Sequence, residues 1–276
     1  MKKYLIFLSM VAQLGAQPKI DFPRKVDTLQ KLMTAADGVT FQVTDSLDYN
    51  GKIITVLTDI LSDRESVKCN LEVLLKNDFL NITHSDDKKL WIFGWHENTG
   101  GTFKNAMNIL QVRQSKAPGV FHDESTSRDS TRTYHDNENV FVSSGFFFSR
   151  IIKLNSKKQL YLCLGSVVGC STCCLETATV IELARDSINF KYPAFVADST
   201  RDQPVYEPAF MLDSRCGNIK QFDYDAKTQT LIYEYEADDL TPVRREYEDE
   251  EDSENSQGQI IRQILFWNGE RFVEKE

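Results

Sequence analysis

After Ala12 this 276-residue chain has no apolar run long enough to cross a bilayer as a helix, a span of about 20 residues. It also lacks a basic excess: 32 Lys and Arg stand against 41 Asp and Glu, a net charge of −9. Binding a nucleic acid backbone takes a basic face, so that partner class is excluded. There is no Gly-x-Ser-x-Gly elbow, no His-Glu-x-x-His helix motif and no glycine-rich phosphate loop. In Gly165-Ser-Val-Val-Gly169 the serine is displaced from the elbow position, and Gly100-Gly101 reads as a turn pair. Structural zinc takes two separated ligand pairs, and Cys170-x-x-Cys173 has no second CxxC or CxxH to complete it. Low apolar content is also absent: 41% is ordinary globular usage, which excludes disorder of the whole chain.

What is present begins at the N-terminus. Met1-Lys-Lys3 is basic, Tyr4 to Ala12 is mostly apolar, and Ala16 is a small residue at a cleavage point. Residues 1–16 therefore read as an export signal. Cleavage after Gln17 would instead place Pro18 just past the scissile bond, an unfavourable arrangement. No cysteine stands at the cleavage site, which argues against a lipid anchor. Loss of Lys2 and Lys3 leaves 30 basic against 41 acidic side chains, a net charge of −11. The mature chain is expected to be soluble, without a transmembrane segment, and periplasmic or secreted. About 260 residues suffice for one large domain or two small ones.

Residues 17–78 carry helical period. Val26, Leu29, Met33 and Ala36 form one stripe; Ile53, Ile54, Leu57, Ile60 and Leu61 form a second; Val67, Leu71, Leu74 and Leu75 form a weaker third. Residues 79–276 change to strand patterns. Leu80, Ile82 and His84 alternate with polar neighbours, and Leu90 to Trp95 is apolar on both faces, as in a central strand. Further strands are predicted at 140–148, 160–164, 178–183, 187–192 and 219–224. Leu231, Tyr233 and Tyr235 share one face while Glu234 and Glu236 face out. A last hairpin, 260–267 and 271–273, closes on Asn268-Gly269, a pair that tolerates positive φ. About ten strands with short turns predict an α+β chain: N-terminal helices, then a large, mostly antiparallel β-meander packed as one globular unit. An irregular β-propeller-like domain is the alternative. Polar stretches at 121–139 and 247–258 read as loops, the second because its close run of six acidic residues resists burial.

The candidate chemistry is thin. The six cysteines are Cys69, Cys163, Cys170, Cys173, Cys174 and Cys216. Disulfides are permitted in an exported chain, and Cys163, Cys170, Cys173, Cys174 and Cys216 are the candidates. If 160–164 and 175–183 pair around Val168–Gly169, Cys163 faces Cys174 or Cys173, and Cys216 can take another of the cluster. A redox Cys170-x-x-Cys173 normally opens a helix, whereas this one lies in a β-turn. His122-Asp123 and His135-Asp136 bracket the long polar loop and are weak candidates for a divalent ion. Trp91 and Trp95 are candidates for a ligand face, with core packing as the alternative. No cofactor is expected.

Ser85-Asp-Asp-Lys-Lys-Leu-Trp-Ile-Phe-Gly-Trp95, with Thr99-Gly-Gly-Thr102 after it, resembles a segment that recurs in a family of uncharacterised exported proteins of Gram-negative bacteria. Phe222-Asp-Tyr-Asp225 and Phe266-Trp-Asn-Gly-Glu-Arg-Phe272 resemble that family's last two hairpins. The resemblance is diffuse over most of the mature chain and dense over about 20 residues. It carries no transferable activity, and the Cys170–Cys174 cluster is not part of its pattern. The segment is also similar to a WD-type blade, without the Gly-His signature. Physically it is a hairpin: Asp86-Asp87 begin a turn, Lys88-Lys89 keep its tip wet, and the glycines permit the next reversal. The expectation is an exported, β-rich, non-enzymatic protein that binds a ligand or an envelope protein. An envelope hydrolase with a loop carboxylate and histidine site, or a thiol–disulfide protein, are the alternatives.

Overall fold

A computed structural model describes residues 22–37, 49–74, 80–96, 106–113, 119–123, 140–141, 146–168, 173–184, 188–198, 205–237 and 258–274. The helical part is α1 (Phe22–Asp37), α2 (Tyr49–Ser62), a 3-10 turn at Arg64–Val67 and the single-turn α3 (Leu71–Leu74). Val26, Leu29 and Met33 of α1 pack with Ile53, Leu57, Ile60 and Leu61 of α2. These residues of the two predicted stripes thus become one buried seam. The third stripe is not one helix: Val67 falls in the 3-10 turn and is exposed, while Leu71 is buried.

The rest of the described structure is strand in three sheets. Sheet A runs in the order β1 (Asn81–His84), β2 (Leu90–His96), β3 (Ala106–Val112), β4 (Gly119–Asp123), β5 (Val140–Phe141). Sheet B has the order β12 (Ala209–Arg215), β8 (Cys173–Leu183), β7 (Leu160–Val168), β6 (Phe147–Lys153), with β9 (Ile188–Asn189) also on β8. Sheet C has the order β11 (Val205–Glu207), β10 (Phe195–Asp198), β16 (Phe272–Glu274), β15 (Ile260–Trp267), β14 (Thr230–Glu236), β13 (Ile219–Asp225).

The three cores show how these sheets stack. Odd residues of β2 (Trp91, Phe93, Trp95) pack under the helices, while Leu90 and Ile92 face sheet B. Likewise Tyr161 and Cys163 of β7 face sheet A, while Leu160, Leu162 and Leu164 face sheet C. Successive side chains alternate across a strand, so a sheet covered on both faces must be apolar at every position. That is why Leu90–Trp95 and Leu160–Leu164 are continuous apolar runs. Sheet C closes the stack with Tyr224, Leu231, Tyr233, Tyr235, Leu265, Trp267 and Phe272 turned inward. The order is helices, sheet A, sheet B, sheet C.

The β-rich, mainly antiparallel character agrees with expectation, and among the described residues there is no closed barrel or propeller. The simple meander needs correction. β12 leaves the C-terminal strands to join sheet B, and β4–β5 and β10–β16 pair in parallel. The predicted strand 140–148 divides between sheets: β5 belongs to A and β6 to B. The predicted loop 121–139 begins inside β4, whose backbone runs to Asp123. Strands β3, β10, β11 and β12 had no counterpart in the pattern reading. The Asn268-Gly269 turn forms as expected: Gly269 has φ 101°, and the Asn268 Oδ1 accepts from the Glu270 and Arg271 amides at 3.0 and 2.8 Å.

Candidate functional site

The Ser85–Leu90 turn is densely bonded. The Ser85 amide donates to the Leu90 carbonyl (2.9 Å), the Lys88 amide to the Ser85 carbonyl (2.8 Å), and the Leu90 amide to Ser85 Oγ (3.2 Å). Lys88 takes φ 53°, the left-handed conformation that lets the chain reverse. Within the turn Asp87 Oδ1 accepts from Ser85 Oγ (2.8 Å) and the Lys89 amide (3.3 Å). Its Oδ2 reaches out to sheet B, accepting from Tyr161 Oη (2.9 Å) and Lys153 Nζ (3.1 Å). Burial pushes the Asp87 carboxyl up, but the bonds from Ser85, Tyr161, Lys153 and Lys89 outweigh it, and the net shift is downward. Burial and Asp87 together hold the Tyr161 phenol well above its ordinary value.

Next to this turn lies Trp91. Its Nε1 donates to the Lys88 carbonyl (3.0 Å), the His84 ring lies 4.4 Å away and the Arg113 guanidinium 4.0 Å from its ring centre. His84 in turn contacts the Glu72 carboxylate at 3.1 Å. Trp91 and Trp95 are each only 3% exposed, on the β2 face that the helices cover. They are core residues and not an open ligand face. The periodicity of β2 places them there, because alternate residues on that strand meet the apolar seam of α1 and α2.

Other polar side chains in the interior make ties of the same kind. Gln111 Nε2 donates to the Leu61 carbonyl (2.6 Å) and to Ser66 Oγ (2.9 Å), joining sheet A to the end of α2. Asn81 Nδ2 and Asn108 Nδ2 donate to the Phe148 and Phe146 carbonyls at 2.8 and 2.9 Å, joining A to B. Trp267 Nε1 donates to the Asn155 carbonyl (2.9 Å), joining B to C, and at the surface the exposed Arg150 of sheet B pairs with Asp223 of sheet C.

The cysteines sort by register. In the β7–β8 ladder Val168 faces Cys174 and Cys163 faces Thr179. The hairpin therefore closes beyond Val168–Gly169, and Cys163 lies far from Cys173 and Cys174. It is a free thiol buried between sheets A and B, and burial drives its pKa up, so it is inert. Cys174 bonds instead to Cys216, just past β12, with Cα atoms 4.9 Å apart. Cys173 opens β8 opposite Arg215, and Cys69 is a free, half-buried thiol. Cys170 lies outside the described residues.

His122 and Asp123 belong to β4, where their backbones face Val140 and Phe141. His135 and Asp136 lie outside the described residues. Among the described residues no three His, Cys, Asp or Glu side chains gather as a metal site.

One group that pattern reading missed is Glu176. It sits in β8 between Ser166 of β7 and Leu212 of β12, two residues from the disulfide, on the side that faces sheet C. It is half-buried and, among the described residues, has neither hydrogen bond nor ion pair. Burial alone pushes its carboxyl up to about 7. It can hold or release a proton near neutrality, or offset a cation, but no second such group stands beside it in the described residues. No sequence signal marks it, since its neighbours come from strands distant in the chain.

No family model, no curated protein and no solved structure matches this chain.

Proposed function

We propose that this is an exported, non-enzymatic β-rich protein that binds a ligand or a protein of the cell envelope. The observation that carries this reading is the use of its interior polar groups. Asp87, Asn81, Asn108, Gln111 and Trp267 each tie one layer to the next, so the side chains best placed for chemistry hold the stack together. The Cys174–Cys216 disulfide supports the compartment, because such bonds persist where the surroundings are oxidising. The basic-then-apolar start at residues 1–16 supports the same address. Among the described residues no helix is long and apolar enough to cross a membrane.

The test is expression of the full chain in a Gram-negative host, followed by fractionation and incubation of the purified product with envelope extract. The expected result is recovery from the periplasm or medium with Gln17 at the N-terminus, and retention of an envelope component that is released unaltered. Retention in the cytoplasm with Met1 intact contradicts the export reading. Turnover of an envelope polymer, abolished by a substitution in the 121–139 loop, contradicts the non-enzymatic reading and favours a hydrolase.

A further inference from the structure

We propose that the outer face of sheet C joins two copies of this chain in a face-to-face dimer. Sheets A and B are covered on both sides, whereas among the described residues only the inner side of sheet C contributes to a core. The outer side presents Ile232, Ile260, Ile264 and Val273, none of which belongs to any of the three cores. Ile260 is 52% exposed and Ile264 36%. Apolar residues gathered on a wet sheet face mark an interaction surface.

The register identifies the occupant. In the β14–β15 ladder Ile232 lies opposite Ile264, and Glu234 opposite Arg262. Residues directly opposite one another point to the same side of the sheet. A two-fold axis parallel to the strands, midway between β14 and β15, therefore lays β14 of one copy over β15 of the second at the same level. Ile232 then meets Ile264 of the second copy, and Glu234 meets Arg262 of the second copy, each contact occurring twice. These two pairs are complementary to themselves, while Ile260, opposite Glu236 in the ladder, meets Glu236 of the second copy at the edge of the contact. Of the other charges of this face, Lys220 and Glu236 pair at 3.2 Å, while Asp223, paired with Arg150, and Asp225 lie on the same side at the β13 edge.

The area sets the strength. Strands β13, β14 and β15 have 7, 7 and 8 residues. At about 3.3 Å per residue and about 4.8 Å between strands, β13 to β16 cover roughly 25 by 19 Å. Two such faces bury on the order of 1,000 Å², the lower edge of specific interfaces, so a micromolar dimer is expected.

Sedimentation of the purified full chain from about 1 to about 200 μM measures this directly. The parent chain is expected to pass from monomer to dimer. Glu234→Arg alone sets two arginines against two, and Arg262→Glu alone sets two glutamates against two. Each is expected to weaken self-association at least about tenfold. An equimolar mixture of these two variants restores opposite charges at both contacts and is expected to form a heterodimer near the parent's strength. Ile264→Lys, at a solvent-facing position, is expected to stay monomeric with unchanged circular dichroism, and it decides the matter if a charge variant fails to fold. A parent chain monomeric throughout overturns the dimer. So does a folded Ile264→Lys that dimerises like the parent, or a mixture of folded charge variants that stays monomeric. A monomeric chain that instead floats with lipid vesicles assigns the face to a membrane surface and overturns it as well.

Discussion

Asp87 joins two sheets with one carboxylate: Oδ1 closes its own turn and Oδ2 takes Tyr161 and Lys153 of sheet B. Asp87→Asn weakens both sets of bonds, and a loss of about 1–2 kcal/mol is expected from hydrogen bonds to a charged group. The pH sign follows from the lowered pKa. Its contribution is present above the ordinary carboxylate value and is lost as pH falls through the folded one. Urea unfolding from neutral pH down to acid, parent against variant, measures the gap; equal stability at neutral pH contradicts the tie. Glu176 has the opposite sign. Its carboxyl moves from 4.5 to about 7, so the folded chain keeps a proton that the unfolded chain has released. That contribution is complete below the unfolded value and is lost as pH rises through the folded one. Glu176→Gln is expected to flatten stability across this window and, at about pH 8, to exceed the parent by about 1–2 kcal/mol after solvent screening. Thermal melts at about pH 5 and about pH 8 check it; parallel profiles for parent and variant contradict it. Neither role was readable in the chain. Asp86 and Asp87 look alike as a turn pair, and the partners that separate them, Lys153 and Tyr161, arrive from another sheet.

At the scale of elements, legibility followed coverage. Strand β2 and the first part of β7 could be read because both faces of each are apolar, and the last two hairpins because their turns are local: Asp225 accepts from the Lys227 amide (2.8 Å) and Thr228 Oγ1 (2.9 Å). Strand β3 was hidden because Asn108 and Gln111 interrupt its apolar run, and their burial makes sense only once the Phe146 and Leu61 carbonyls are in place. The aromatic run at 140–148 looked like one strand because composition does not report a change of sheet. The β6–β7 pair is tightly packed. A Cβ on Gly165 would lie 2.9 Å from Phe148 Cδ1 and 3.1 Å from the Phe147 carbonyl oxygen, beside the bulge between Phe148 and Arg150. Phe148 is fully buried and has no room to retreat. Gly165→Ala is therefore expected to cost about 1–3 kcal/mol by overpacking. A denaturation midpoint equal to the parent's would show that the two strands separate more easily than their packing implies.

At the scale of the whole molecule, the helices and three sheets form a stack in which polar side chains fasten each layer to the next, and Cys174–Cys216 clips β8 to the end of β12 within sheet B. The measurement that tests this most directly is peptide mapping of the native, exported protein, alkylated before and after unfolding and never reduced. The β7–β8 register requires a peptide linking Cys174 to Cys216, Cys69 recovered as a thiol, and Cys163 alkylated only after unfolding. Cys163 recovered in a disulfide with Cys173 or Cys174 would shift the register and undo the stacking of sheet B between A and C. Cys174 and Cys216 recovered as free thiols would remove the strongest support for an oxidising compartment.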